Sequence, residues 1–218
     1  MRLHLIRHGQ TASNLAAALD TGAPGAPLTD EGLRQARAVG AVFAGGPLDA
    51  VYASTLDRAR STAAEVARPH GLAVMAREGL REVLAGDLEM RTDRAAVEQY
   101  FATMMAWLSG DLDAVMPGGE SGRTTLDRFD AVVEEMLASD AGTVAAVSHG
   151  AMIRMWAVSR AANLGPDAVA VRRLDNTGVV TLETGGPTGW YASRWEDEVV
   201  PHPVPTPGDG PGGAPLAS

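Results

Sequence analysis

Residues 2–14 read RLHLIRHGQTASN, an apolar segment that runs directly into a polar one. Its first five residues are mostly apolar, which predicts a short buried strand that ends just before the polar RHG segment. A second histidine, His149, follows another apolar run at residues 143–147. Because the carboxyl ends of parallel strands meet in one crevice, we expect His8 and His149 to face a common ligand there.

Strands and helices are predicted to alternate along the rest of the chain. Thr29 precedes apolar residues at helical spacing, and Thr55 is placed to cap a second helix that runs to about Ala67. Further helices are expected at 97–108, 126–137 and 151–162, and further strands at 49–54, 72–76, 143–147, 178–183 and 190–195. This alternation predicts a doubly wound α/β fold. The methionines of the helices at 97–108 and 126–137 are expected in the core.

The composition predicts one domain followed by a tail. The chain has 218 residues and 45% hydrophobic side chains, enough for the core of one α/β domain over residues 1–199. Residues 200–218 are rich in proline and glycine, which predicts disorder. Apolar runs stay well below the roughly 20 residues of a membrane span, and the first residues lack signal-peptide features. A soluble cytoplasmic protein is therefore expected.

The ionisable residues limit the chemistry and the partners. The chain has no cysteine and no lysine, which excludes disulfides, thiolate metal sites and thiol or lysine catalysis. A net charge of -9 argues against nucleic acids and acidic membranes as partners. All 18 basic residues are arginines, whose guanidinium groups bind phosphate or carboxylate in a bidentate manner. Any anion site must be a local pocket.

The RHG segment has the parts needed for nucleophilic attack on phosphorus. A neutral imidazole at His8 is nucleophilic at neutral pH. Arg7 can neutralise phosphoryl oxygens, and Gly9 allows the backbone to approach an oxyanion. A hydrogen-bonded histidine with only a structural role at a strand end is the alternative interpretation of His8.

Three more residues could complete such a site, although each alone fits a structural role. Arg58 falls in the first turn of a predicted helix, where anions are favoured, but surface arginines commonly pair with acids. His149 repeats the order of strand, histidine, glycine and helix. Glu82 lies in a predicted loop, where its carboxyl group could protonate a leaving oxygen and then deprotonate water, or could simply be solvated.

Five motifs occur together in an order that resembles the histidine phosphatase superfamily, also called phosphoglycerate mutase-like. They are RHGQTASN at 7–14, the helix that carries Arg58, LREVLAG at 80–86, PGGES at 117–121 and SHG at 148–150. The resemblance extends over residues 1 to 196. It implies a three-layer α/β/α sandwich with a mostly parallel central sheet.

The resemblance also implies the roles of the site residues. His8 becomes phosphorylated, Glu82 is the proton donor, and the phosphoryl group is held by a set of further residues. That set consists of Arg7, Gly9, Thr11, Asn14, Arg58 and His149. Two arginines and a histidine can stabilise the transferring group without a metal or another cofactor.

The resemblance favours a phosphatase and leaves its substrate open. The segment GDLEM at 86–90 stands where many family phosphatases have GDWEG, and Gln10 replaces a commoner glutamate. Phosphoglycerate mutases carry a longer basic insertion after the acid motif, whereas residues 92–119 resemble a compact helical cap. We therefore expect hydrolysis of a small phosphorylated metabolite. A cofactor-dependent phosphoglycerate mutase is the main alternative, ahead of a phosphoprotein or phosphohistidine phosphatase and a phosphate-binding scaffold.

The sequence leaves open the oligomeric state and the residues that contact the leaving group. A homodimer is one candidate for the assembly. Some residues could contact the leaving group if the cap covers the site, although each also fits a surface or packing role. They are Arg81, Arg91, Arg94, Arg123 and Trp107.

Overall fold

The described part of the chain is built around one mixed sheet. The computed structural model describes residues 1–166, 172–186 and 189–201, so the predicted tail lies outside the described residues from 202 onward. The strands are β1 (Arg2–Arg7), β2 (Ala50–Ser54), β3 (Val74–Arg77), β4 (Thr143–Ser148), β5 (Val179–Gly186), β6 (Gly189–Trp195) and β7 (Glu198–Val199). Their order in the sheet is β3-β2-β4-β1-β5-β6-β7.

The first four strands run parallel to one another. β4 lies between β1 and β2, and β3 pairs with the outer side of β2. The closing strands β5, β6 and β7 add on the other side of β1 in antiparallel pairs. The carboxyl ends of β1, β2 and β4 therefore meet at one edge of the sheet.

Six helices connect these strands within the described residues. They are α1 (Ala12–Leu15), α2 (Asp30–Phe43), α3 (Asp57–Ala67), α4 (Arg94–Leu108), α5 (Gly122–Ala138) and α6 (Gly150–Arg160). Thr29 caps α2 as predicted, since its side chain accepts a hydrogen bond from the Gly32 amide. In the part of the chain that is described, no helix has the length and apolar character of a membrane span.

The alternation of side chains along the strands produces two separate cores. On β1, Leu3 and Leu5 face one side of the sheet and Ile6 faces the other. The first side is covered by α4, α5 and α6, and the second by α2 and α3. The predicted three-layer α/β/α fold is confirmed.

Some local predictions were wrong. β3 begins at Val74 rather than at residue 72. Thr55 does not cap α3, because the N-cap is Leu56 and the hydroxyl of Thr55 is buried without a hydrogen-bond partner. Met104 and Met136 are core residues as expected, whereas Met105 is 36% exposed because it lies on the outer side of α4.

The close crossing of α2 and α3 gives a first prediction. A Cβ atom at Gly40 would lie 2.3 Å from the backbone oxygen of Glu65. We expect Gly40→Ala to lower the free energy of unfolding by about 1–3 kcal/mol, the usual cost of overpacking. Chemical denaturation measures this change. Gly46→Ala is the control, because no heavy atom lies within 4 Å of its added Cβ. Equal denaturation curves for the two variants would contradict this account of the helix contact.

Candidate active site

Two histidines lie side by side where β1 and β4 end. The parallel register pairs Arg7 with Ser148, and the His8 amide donates to the Ser148 carbonyl at 3.1 Å. The next residue of each strand is a histidine, so the ring centroids of His8 and His149 are only 5.1 Å apart. The sheet thus brings together residues that are far apart in the sequence.

The hydrogen bonds of His8 define its tautomer. Nδ1 lies 2.7 Å from the Gly9 carbonyl, which can only accept, so Nδ1 carries the proton. Nε2 keeps its lone pair and accepts a hydrogen bond from Arg58 Nε at 3.2 Å. Burial, together with the charges of Arg58 and Arg7, lowers the pKa of His8 well below its ordinary value. The imidazole is therefore neutral, with its nucleophilic nitrogen beside an arginine.

Arg58 is almost fully buried in the first turn of α3 and is held by Asp20. Its Nη2 donates to the Asp20 carbonyl at 2.7 Å, and its Nη1 lies 3.5 Å from Asp20 Oδ1. The other carboxylate oxygen of Asp20 accepts hydrogen bonds from Ser13 and Ala26. Nη1 of Arg58 makes no hydrogen bond. Asp20 thus fixes the guanidinium group, whose Nε faces His8 Nε2.

Arg7 contributes a second cation from the end of β1. Its Nη1 donates to the Leu174 carbonyl at 2.7 Å, while its buried Nε has no partner. A Cβ atom at Gly150 would lie only 3.1 Å from that Nε, so glycine lets Arg7 pack against the start of α6. Burial lowers the pKa of Arg7 and the charge of Glu82 opposes this effect. An arginine stays protonated at physiological pH even so.

Glu82 lies at the N-terminus of α6. Its Oε1 accepts hydrogen bonds from the amides of Met152 at 2.8 Å and Val83 at 2.9 Å, and its Oε2 accepts from Ala151 at 3.2 Å. These contacts satisfy donors that a helix start leaves free. They also fix the position of the carboxyl group.

These groups border one pocket with a volume of about 200 Å³. Arg7, His8, Arg58 and Glu82 all line it. The predicted Thr11 and Asn14 line it as well. Thr11 also caps α1 in a reciprocal pair with Asn14. Most of the predicted site residues therefore share one space.

Gly9 and His149 are predicted phosphate ligands that are not part of the pocket wall. The Gly9 amide donates to Thr62 Oγ1 at 3.1 Å, and a Cβ atom at Gly9 would lie 2.6 Å from the Gly32 oxygen. Close packing against α2 therefore accounts for this glycine, and the phosphate contact of Gly9 stays a prediction.

His149 is completely buried and lies beside His8 without lining the pocket. Its Nε2 is 2.8 Å from Ser54 Oγ, whereas its Nδ1 has no partner. Burial lowers its pKa well below the ordinary value, and the nearby charge of Arg58 acts in the same direction. In this structure it contacts the ring of His8, and its contact with phosphate stays a prediction.

The residues named from sequence as leaving-group contacts lie elsewhere. Trp107 is buried, and its Nε1 donates to the Ala114 carbonyl. The four arginines each form an ion pair outside the pocket wall. These pairs are Arg81 with Glu78, Arg91 with Asp93, Arg94 with Glu98 and Arg123 with Asp113. None of the five residues lines the pocket, and their positions fit the surface or packing roles considered from the sequence.

Sequence reasoning missed several residues of the pocket wall, four of which have charged or aromatic side chains. Asp20 lines the pocket beside Arg58, while Tyr100 and Phe101 of α4 and Arg154 of α6 line its other side. Arg154 follows Gly150 by four residues, and this helical spacing from the SHG motif was the available signal. No sequence pattern pointed to Asp20, because its partner Arg58 is distant in the sequence. Within the described chain, no group of three His, Cys, Asp or Glu side chains is arranged to hold a metal ion.

The unusual GDLEM segment is tied to the pocket. The Glu89 carboxylate accepts hydrogen bonds from the amides of Thr21 and Gly22 and from the Thr21 hydroxyl. Leu88 is buried, and Met90 adopts a left-handed conformation with φ 61° where many family phosphatases have glycine. The segment therefore supports the loop that carries Asp20 and Thr21.

Comparison with known proteins agrees with this geometry. A model of the histidine phosphatase superfamily (branch 1) matches residues 3–198. The adenosylcobalamin/alpha-ribazole phosphatase of Salmonella typhimurium is 32% identical over 71% of this chain and 77% of its own length. A protein of Klebsiella pneumoniae named as a probable phosphoglycerate mutase is 31% identical over 92% of both chains.

Solved structures show the same similarity. A mycobacterial glucosyl-3-phosphoglycerate phosphatase in complex with VO3 superposes with a TM-score of 0.75 at 26% identity, over 90% of this chain and 99% of the other. A structure called mycobacterial hydrolase 1 gives a TM-score of 0.76 at 25% identity, over 91% and 99%. The chain belongs to the histidine phosphatase superfamily. Within it, the protein is a histidine phosphatase.

Proposed function

We propose that this protein is a metal-independent phosphomonoesterase that hydrolyses a small phosphorylated metabolite through a phosphohistidine on His8. The observation that carries the proposal is the unprotonated Nε2 of His8, which borders a pocket together with Arg7 and Arg58. A neutral nucleophile beside fixed cations suits attack on a phosphate dianion. The pocket volume of about 200 Å³ fits a small ester.

In the first step, the lone pair of His8 Nε2 forms a bond to phosphorus as the bond from phosphorus to the ester oxygen breaks. The leaving oxygen takes a proton from the Glu82 carboxyl group and departs as an alcohol. Arg7 and Arg58 stabilise the negative charge on the equatorial oxygens. The donors that we assign to this task are Arg7 Nε, which makes no hydrogen bond, and Arg58 Nε, which faces His8 Nε2.

In the second step, water replaces the alcohol. The Glu82 carboxylate takes one proton from the water as its oxygen bonds to phosphorus, and the bond from phosphorus to His8 Nε2 breaks. Orthophosphate leaves, His8 is neutral again and Glu82 is protonated for the next cycle. The three backbone amides that hold Glu82 support this role, because they fix one carboxyl group for both proton transfers.

A phosphoglycerate mutase is the second candidate, and the Klebsiella relative favours it. Against it, Arg91 and Arg94 pair with Asp93 and Glu98 and do not line the pocket. A mutase must also protect its phosphohistidine from water. The phosphatases among the relatives support hydrolysis.

The experiment that tests the proposal measures two reactions in EDTA. Orthophosphate release is assayed with sugar phosphates, phosphoglycerates, nucleotides and an aryl phosphate, while 2- and 3-phosphoglycerate interconversion is followed in parallel. We expect release that continues in EDTA and depends on His8. Interconversion without release would indicate a mutase, and absence of both reactions would favour a phosphate-binding scaffold.

The proposal also includes a helical cap, a cellular location and an oligomeric state. We place residues 92–119 as a helical cap of the 1–199 domain, on the basis that α4 supplies Tyr100 and Phe101 to the pocket. A cytoplasmic location and a homodimer also remain predictions.

A further inference from the structure

Arg154 lines the pocket, and its guanidinium group makes no hydrogen bond or ion pair with the described residues. It is half-buried on α6, and its Nε is fully buried and makes no hydrogen bond. Every other half-buried arginine in the described ranges has a hydrogen bond or an ion pair, as Arg7, Arg128 and Arg160 illustrate. A buried charged donor without a partner is costly, so its retention in a pocket points to an anionic ligand.

The position of Arg154 relates it to the leaving group. Arg154 is close enough to Glu82 and Arg7 for their charges to affect one another, and burial lowers its pKa while Glu82 opposes that effect. In the proposed mechanism, Glu82 protonates the leaving oxygen. The alcohol part of the substrate therefore extends on the Glu82 side of the pocket, where Arg154 lies.

Two aromatic residues of α4 border the same part of the pocket. The guanidinium carbon of Arg154 is 5.8 Å from the centre of the Phe101 ring, a cation-π distance. Phe101 in turn packs edge to face on Tyr100, whose hydroxyl donates to the Val83 carbonyl. The contact with the Phe101 ring restricts the guanidinium group of Arg154. Its free N–H donors therefore keep a fixed position in the pocket wall.

We propose that Arg154 is a specificity-determining residue that binds a second anionic group, carried by the leaving group of the substrate. This inference rests on the proposed phosphatase function and narrows its substrate class to monoesters with a carboxylate or a further phosphate near the ester oxygen. A guanidinium binds either anion through paired N–H donors. Arg7 and Arg58 hold the transferring phosphoryl group, which leaves Arg154 for this second anion.

The test compares substrates that differ only in the second charge. One pair is 3-phosphoglycerate and glycerol 3-phosphate, and the other is propane-1,3-diol bisphosphate and its monophosphate. We expect the wild-type kcat/KM to favour the more anionic member of at least one pair by roughly 10- to 100-fold, as for a charge-assisted hydrogen bond. The pair that shows the preference distinguishes a carboxylate from a phosphate.

The variants separate recognition from a structural role. We expect Arg154→Gln to bring the ratio of kcat/KM values close to one, mainly through KM, and Arg154→Lys to retain part of the preference. Arg94→Gln is the control, because Arg94 is exposed and paired with Glu98 outside the pocket. Equal slowing of both members of each pair by Arg154→Gln, or no preference in the wild type, would overturn the proposal.

A binding measurement keeps this inference distinct from the mechanism. Calorimetry with His8→Ala protein compares the affinities for 3-phosphoglycerate and glycerol 3-phosphate, and for the two propanediol phosphates, without turnover. We expect the same preference, and its loss when Arg154→Gln is added. If the preference persists in a wild-type protein that releases no phosphate, the proposed hydrolysis fails while the anion site stands. If binding shows no preference for any pair, the anion site fails.

Discussion

His8→Ala is expected to lower kcat by about four or more orders of magnitude while the fold stays intact. The reason is that His8 supplies the nitrogen that becomes bonded to phosphorus, and the pocket offers no substitute. His149 is the neighbouring imidazole, but it is fully buried and hydrogen-bonded to Ser54. Steady-state phosphate release from an aryl phosphate measures the effect.

A matched histidine variant controls for this experiment. His70 lies in the short 3-10 turn that directly follows α3, and its Nε2 hydrogen-bonds with the Phe43 carbonyl. His70→Ala should leave kcat near the wild-type value. Circular dichroism and thermal melting check that both variants fold. Comparable activity of His8→Ala and wild-type protein would contradict the mechanism.

Glu82→Gln is expected to have the second largest effect, and the effect should depend on the leaving group. An alkyl oxygen needs a proton as it departs, so we expect kcat/KM for alkyl phosphates to fall by about 10²- to 10⁴-fold. An aryl oxygen is a far better leaving group and needs little protonation, so its kcat/KM should fall much less. Because kcat/KM reports only the steps up to alcohol release, hydrolysis of the phosphohistidine does not obscure the comparison.

The control for Glu82 is an exposed glutamate nearby. Glu78→Gln removes a surface ion pair with Arg81 and should change neither substrate series. A series of esters with graded leaving-group pKa values gives the measurement in full, as the slope of log kcat/KM against that pKa. We expect a steeper slope for Glu82→Gln than for the wild type. Parallel lines would exclude Glu82 as the acid.

Much of the fold could be predicted because the determinants are local. Apolar runs identify β1 and β4, and Thr29 marks the start of α2 by its position before an amphipathic stripe. The direction of parallel strands then brings the ends of β1 and β4 to one edge. These short-range signals suffice for the layers and for the approach of His8 to His149.

The rest of the site depends on long-range contacts that leave no local pattern. Asp20 acts by contacting Arg58, and Gly9 is needed for its approach to Gly32, but no spacing rule links either pair. Arg91 and Arg94 looked available from sequence and are neutralised by acids close along the chain. The helical spacing of Arg154 from Gly150 is visible in the sequence, but its position beside Phe101 depends on the packing of α4 against α6.

Rapid quenching can trap the phosphohistidine that we propose on His8. Wild-type protein is mixed with an aryl phosphate labelled in the phosphoryl group, quenched in alkali within milliseconds, and digested to map the label. We predict label on the peptide that contains His8, stable to alkali and lost in acid, with none in His8→Ala protein. Label on a different side chain, or turnover with no label on the His8 peptide, would contradict the account.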